Sequence, residues 1–144
     1  MKRTMLVAML LIGIALVSAC KSQPKAVTDD TFREIYDRYK KDLILDGAEK
    51  YTVVSGDTLS AIARTQYHQG FYFPIIMLAS SDVVLDPDKI APGMELTVPD
   101  IQKNLDDAKA RSSIKKFLGE IAKLEDNRNR PHDAEGLREL ADSL

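Results

Sequence analysis

The stretch Tyr51 to Leu59, Y-T-V-V-S-G-D-T-L, sets the tightest limit on how this chain folds. Its β-branched and aromatic content predicts a strand over Tyr51–Val54, and the strand stops at Gly56. Glycine tolerates the turn, and Asp57 is placed to cap a helix opening at Thr58 or Leu59. Leu59, Ile62 and Ala63 give that helix a buried face. Gln66–Phe73 breaks the pattern with Gly70 and the aromatics Tyr67, Phe71, Tyr72 and Phe73. Pro74 suits the first turn of a second helix, whose apolar content is Ile75, Ile76, Leu78 and Ala79. Ser80–Lys89 follows as a loop with Asp86-Pro87-Asp88 as a turn. The segment closes at Ile90-Ala91-Pro92-Gly93-Met94-Glu95-Leu96-Thr97-Val98-Pro99. Pro92-Gly93 has the residue order of a type II turn, and Leu96 and Val98 alternate inward to meet Tyr51 and Val53.

Helical patterns flank this β-α-α-β unit. Phe32, Ile35, Tyr36, Tyr39, Leu43 and Ala48 recur at helical spacing, which predicts an amphipathic helix over 29–48. Thr28, Asp29 or Asp30 caps its start, and Gly47 weakens its last turn. Its stripe packs either on the small unit or on a partner protein. After Pro99, residues 101–144 return to helix, with Ile101, Leu105, Ala108, Ile114, Phe117, Leu118, Ile121 and Leu124 as a long stripe. Ser112-Ser113 and Gly119 leave room for a break in it. Asn127–Pro131 ends the stripe, and Leu137, Leu140 and Leu144 predict a final helix over Asp133–Leu144. The expected class is α+β, with one small unit over 50–100 and no internal repeat.

The N-terminus carries a separate signal. Lys2 and Arg3 precede an apolar run of 13 residues, Met5–Val17. A membrane span needs about 20 residues, so the run fits a secretory signal rather than a spanning helix. Val17-Ser18-Ala19-Cys20 resembles the lipobox of bacterial lipoproteins. That resemblance implies a signal peptide over 1–19, cleavage before Cys20, and acyl chains such as palmitate on a linker over 20–28. An ordinary cleaved signal with an incidental cysteine is the other reading. Cys20 is the single cysteine, so it has no disulfide partner within the chain, and acylation gives it a use. Two acyl chains suffice for stable anchoring, so the membrane contact is the lipid on Cys20. Removing Lys2 and Arg3 from the 20 basic residues leaves 18 against 22 acidic ones, or −4 for the mature chain. No basic stretch interleaved with aromatics marks a nucleic-acid partner.

Tyr51 to Ala63 resembles the opening of a LysM domain, and Ile90 with Pro92-Gly93, Leu96, Val98 and Pro99 resembles its close. The resemblance covers about a third of the chain. It implies a β-α-α-β fold that binds N-acetylglucosamine-containing glycans, and beside a lipoprotein signal it implies peptidoglycan. The family's groove lies between the strand-to-helix loop and the loop after the second helix. Carried onto this sequence, that implies glycan contacts at Gly56, Asp57, Thr58 and Leu59, and at Ser80, Ser81, Asp82 and Ile90. A helix N-terminus supports this chemistry, because its first turn leaves backbone N–H donors unpaired. Asp57 and Thr58 are equally good helix caps, and Leu59 is more commonly core. Many LysM domains carry an asparagine where this chain has Ser80, and serine has one hydroxyl in place of an amide's two ends. The four aromatics are read first as core and second as a stacking platform, since about 50 residues bury little surface.

Catalysis is not expected. His68 and His132 are the only histidines, and neither has metal-ligand spacing; no cofactor or metal site is legible. Asp29-Asp30, Asp106-Asp107 and Glu125-Asp126 are adjacent carboxylates, which point apart on a helix. A glycosidase needs two carboxylates across a cleft deeper than such a small unit provides. The leading expectation is a lipoprotein that tethers a membrane to peptidoglycan. Lys21-Ser22 lacks the aspartate that retains many lipoproteins at an inner membrane, which favours the periplasmic face of an outer membrane. The alternative is a protein-interaction scaffold, using the flanking helices, or an accessory subunit of a cell-wall hydrolase.

Overall fold

The computed structural model describes residues 26–144, so the expected signal peptide, Cys20 and most of the linker lie outside the described residues. Thr28 opens the first helix, α1 (Asp29–Tyr39), through a capping box with Thr31. Phe32, Ile35 and Tyr36 are its buried stripe. The helix stops well short of residue 48: a 3-10 turn at Lys40–Asp42 ends it, and Leu43 is already extended. Asn104, fully buried, explains the stop, because it binds both backbone groups of Ile44. Its side chain accepts from Ile44 N at 2.8 Å and donates to Ile44 O at 2.9 Å. Those backbone groups are then unavailable to a helix.

The β-α-α-β unit follows as β1 (Glu49–Thr52), α2 (Leu59–Tyr67), α3 (Phe73–Ala79) and β2 (Glu95–Val98). The strands pair antiparallel with Tyr51 opposite Leu96. β1 begins two residues before the expected strand, yet pairing continues past it: Val53 N donates to Met94 O at 2.9 Å, and Gly93 N to Val53 O at 2.8 Å. Val53, Leu96 and Val98 are buried, and Tyr51 is half-buried. At the turn, Met94 N returns to Ala91 O at 3.1 Å and Gly93 takes φ 89°, the type II arrangement that the Pro-Gly pair predicts.

Three helices complete the chain: α4 (Ile101–Asp106), α5 (Ala108–Asn127) and α6 (Pro131–Ser143). The break falls at Asp107, not at the serines or Gly119. Asp107 is extended and caps α5 by accepting from Ala110 N at 2.8 Å. A mid-helix glycine costs about 1 kcal/mol. Phe117, Leu118, Ile121 and Ala122, all fully buried, hold α5 together across it.

A single hydrophobic cluster runs through α1, the β-α-α-β unit, α5 and α6. The small unit therefore does not stand on its own core. Tyr36 stacks obliquely between Phe32 and Phe117, with ring centroids 6.1 Å and 6.0 Å away. The aromatics between α2 and α3 are core as expected. Tyr72 and Phe73 are buried, and the half-buried Tyr67 and Phe71 pack on the same cluster. Tyr67 donates its hydroxyl to Pro99 O at 3.0 Å. The apolar stripes of α1 and α5 are thus covered by the chain itself.

Candidate functional site

The first loop is built differently from its sequence pattern. Thr58, not Asp57, caps α2: its hydroxyl accepts from Ala61 N at 3.2 Å. Asp57 points back to the strand, where Oδ2 accepts from the Tyr51 hydroxyl at 2.8 Å and from Val54 N at 2.9 Å. That hydrogen bond raises the Tyr51 phenol above its ordinary value. Both side chains could cap, and the reach of Tyr51 across the turn decides between them. Gly56 makes the turn possible with φ 94°, and the space where its Cβ would lie is open. With Thr58 as cap, the N–H groups of Leu59 and Ser60 have no partner within the helix.

Ser80 sits at the end of α3 and turns its side chain to β2. It is 1% exposed and clamps the end of α3 to β2, accepting from Thr97 N at 2.8 Å and donating to Thr97 O at 3.3 Å. Its own carbonyl accepts from Val83 N and Val84 N. A serine fits because one hydroxyl both donates and accepts along a single strand backbone. Ser81 and Asp82 lie on the following turn, the former half-buried and the latter exposed.

Further along that loop the chain comes round to face the start of α2, and a groove of about 400 Å³ opens between them. Asp57, Thr58, Leu59 and Ser60 line one side; Pro87, Asp88 and Ile90 line the other, with Phe73 beneath. The groove thus gathers Asp57, Thr58, Leu59 and Ile90 of the sequence-derived candidates. Gly56, Ser80, Ser81 and Asp82 do not line it.

A third wall was not legible. Glu125 at the end of α5, and Arg130 and Asp133 at the start of α6, complete the groove. Arg128 and Arg130 tie this corner to the second loop. Arg128 Nη2 meets Asp86 Oδ1 at 2.9 Å and also Asp88, and Arg130 engages both carboxylate oxygens of Asp88, with Nη1–Oδ1 at 3.0 Å. The Arg130 hydrogen bond holds the Asp88 carboxyl below its usual range. Glu125 is 1% exposed, and burial pushes its carboxyl up against the lowering pull of Arg128 and Arg130. In the sequence these charges resemble a solvated helix end, and no periodicity joins them to a loop some forty residues away. From the other side, Tyr36 donates to Leu85 O at 2.7 Å and Lys89 Nζ meets Asp29 Oδ1 at 2.6 Å. Among the described residues, no three His, Cys, Asp or Glu side chains gather around a metal position.

The family model for the LysM domain matches residues 51–99, from within β1 to the residue after β2. Residues 51–99 are a LysM domain. Over 50 residues the chain is 44% identical to the potassium binding protein Kbp of Escherichia coli O6:H1. That stretch is 35% of this chain and 34% of the relative, so the chain spans about a third of the relative's length. The search of solved structures gave no match. Both loops that face each other across the groove belong to the LysM domain, whereas Glu125, Arg130 and Asp133 lie outside it.

Proposed function

We propose that this chain is a non-catalytic glycan-binding protein, and that its ligand is the N-acetylglucosamine-containing strand of peptidoglycan. The observation that carries the reading is the groove itself, in which the two loops of the LysM domain converge on one volume of about 400 Å³. An N-acetyl sugar presents an amide, hydroxyls and a methyl. The unpaired amides at the start of α2 suit its acceptors, the second carboxylate oxygen of Asp57 suits its hydroxyls, and Leu59, Phe73 and Ile90 suit the methyl. The groove is open to solvent and lies between the loops of a LysM domain, which supports binding rather than turnover as its chemistry.

Attachment to a membrane through Cys20 completes the proposal, with the periplasmic face of an outer membrane as its place. Val17-Ser18-Ala19-Cys20 supports it. Changing Cys20→Ala should move the protein from the membrane fraction to the soluble one; an unchanged distribution argues against the anchor. The scaffold alternative loses its motive, since the apolar faces of α1 and α5 are occupied within the chain.

The direct test is retention of residues 21–144, whose described part shares one core, on purified insoluble peptidoglycan. Retention above that of a protein without a LysM domain is expected. Potassium, which the relative's name carries, enters as a control: equal retention in potassium and sodium fits the glycan reading, and strict dependence on potassium speaks against it.

A further inference from the structure

The LysM domain supplies two sides of the groove, and the α5–α6 corner supplies the third with a chemistry of its own. Four carboxylates, those of Asp57, Asp88, Glu125 and Asp133, line the groove against one guanidinium, Arg130. Arg130 is occupied, since both oxygens of Asp88 hold it. Glu125 is the odd member. Its Oε1 lies 3.5 Å from Arg128 Nη1, while Oε2 is buried and accepts no hydrogen bond. The nearest cation to Oε2 is Arg130 Nη1 at 3.6 Å, beyond hydrogen-bonding reach. A buried carboxylate oxygen without a donor is costly to keep. Asp133, half-buried on the first turn of α6, adds a second acceptor to the same wall. The wall is therefore rich in negative acceptors and short of donors.

Resting on the glycan reading above, we propose that the α5–α6 wall holds an ammonium group carried on the glycan beside the N-acetylated sugar. An ammonium is compact and brings three donors and a positive charge, and hydrogen bonds to charged partners are the strong ones. A hydroxyl brings one donor and no charge, and a carboxylate on the ligand meets repulsion from Glu125 and Asp133. Two sources share this chemistry: an amino sugar whose acetyl group has been removed, and the side-chain amine of a peptide attached to the next sugar.

The test is calorimetric binding of residues 21–144 to two matched pairs of ligands. The first pair is a short N-acetylglucosamine oligomer and the same oligomer with one acetyl group removed. The second is a peptide-bearing disaccharide with a free side-chain amine and the same compound with that amine acetylated. At least one free amine should bind about tenfold more tightly than its acetylated counterpart. The pair that shows the gain names the source. Asp133→Asn, at a half-exposed position that tolerates the change, should shrink the ratio towards one, and Glu125→Gln should do the same where it folds. Binding of the acetylated ligands without any gain from either amine overturns this inference and leaves the glycan reading standing. No binding by any of the four ligands overturns both.

Discussion

Arg128 lies 2.9 Å from Asp86, and through that contact the turn after α5 grips the second loop of the LysM domain. The Arg128 side chain is 14% exposed, also reaches Asp88 and Glu125, and sits over the Phe32 ring at 5.6 Å. One side chain thus links α1, the groove loop and the C-terminal helices. Removing one partner of a buried ionic cluster costs about 3 kcal/mol, because the other charge is left uncompensated. Arg128→Ala should lower unfolding stability by about that amount in urea denaturation. Adding Glu125→Gln to it should recover part of the loss. A single-variant effect below about 0.5 kcal/mol, the range of ordinary surface changes, would show that the clamp carries no weight.

Tyr36→Phe isolates the contact made by α1. It keeps the ring between Phe32 and Phe117 and removes only the hydrogen bond to Leu85 O. The expected cost is about 1 kcal/mol. Equal stability of the two proteins in denaturation would contradict it.

Ser80 separates fold from binding. Ser80→Ala removes both hydrogen bonds to Thr97 and should cost about 1 to 2 kcal/mol. Glycan affinity of the folded variant should stay unchanged, since Ser80 does not line the groove. Ser80→Asn, despite being common at this point in the family, must fit a larger amide into a site 1% exposed and should be less stable than the serine. A loss of affinity at full stability in Ser80→Ala would return this residue to the site.

Gly136 marks where α6 meets the LysM domain. A Cβ there would collide with the Phe71 ring, so Gly136→Ala should lose stability by about 1 to 3 kcal/mol despite alanine's better helix propensity. Thermal unfolding of the variant decides it, and a raised midpoint would mean that α6 does not pack on Phe71.

The charged corner gives opposite responses to pH. Asp88 is held low by Arg130, so its contribution to stability is present above the unfolded value near 4 and is lost as pH falls through the lower folded value. Glu125 is raised by burial, so its contribution is full below the unfolded value, about 4.3, and is lost as pH rises through the folded value. Asp88→Asn should flatten the acid side of a melting-temperature profile, and Glu125→Gln should flatten the rise-of-pH side. A profile unchanged by either variant would remove the corner from the account.

Both ends of the LysM domain were legible because their signals are local. Gly56 and Pro92-Gly93 impose turns on their own backbone, and the β-branched residues beside them mark each strand to within two residues. What escaped depends on partners distant in sequence. Asp57 and Thr58 compete for one cap, and only the position of the Tyr51 hydroxyl resolves them. Ser80 looked like a loop residue until Thr97 came to lie beside it. Helix α1 is shortened by Asn104, a polar residue outside the expected apolar stripe, whose burial depends on Ile44 sixty residues away. Glu125, Arg128 and Arg130 carried no signal, because nothing local to α5 records that Asp86 and Asp88 arrive opposite them.

The central claim is that the groove between the two LysM loops holds an N-acetylated sugar. Chemical-shift mapping of residues 21–144 with a short N-acetylglucosamine oligomer tests it most directly. The largest shifts are expected at the amides of Asp57 to Ser60 and at Ile90, with smaller ones at Glu125 and Asp133 and none at Ser80 beyond the background. Saturating ligand with no shifts in that set, or shifts centred on Ser80 to Asp82, would contradict it.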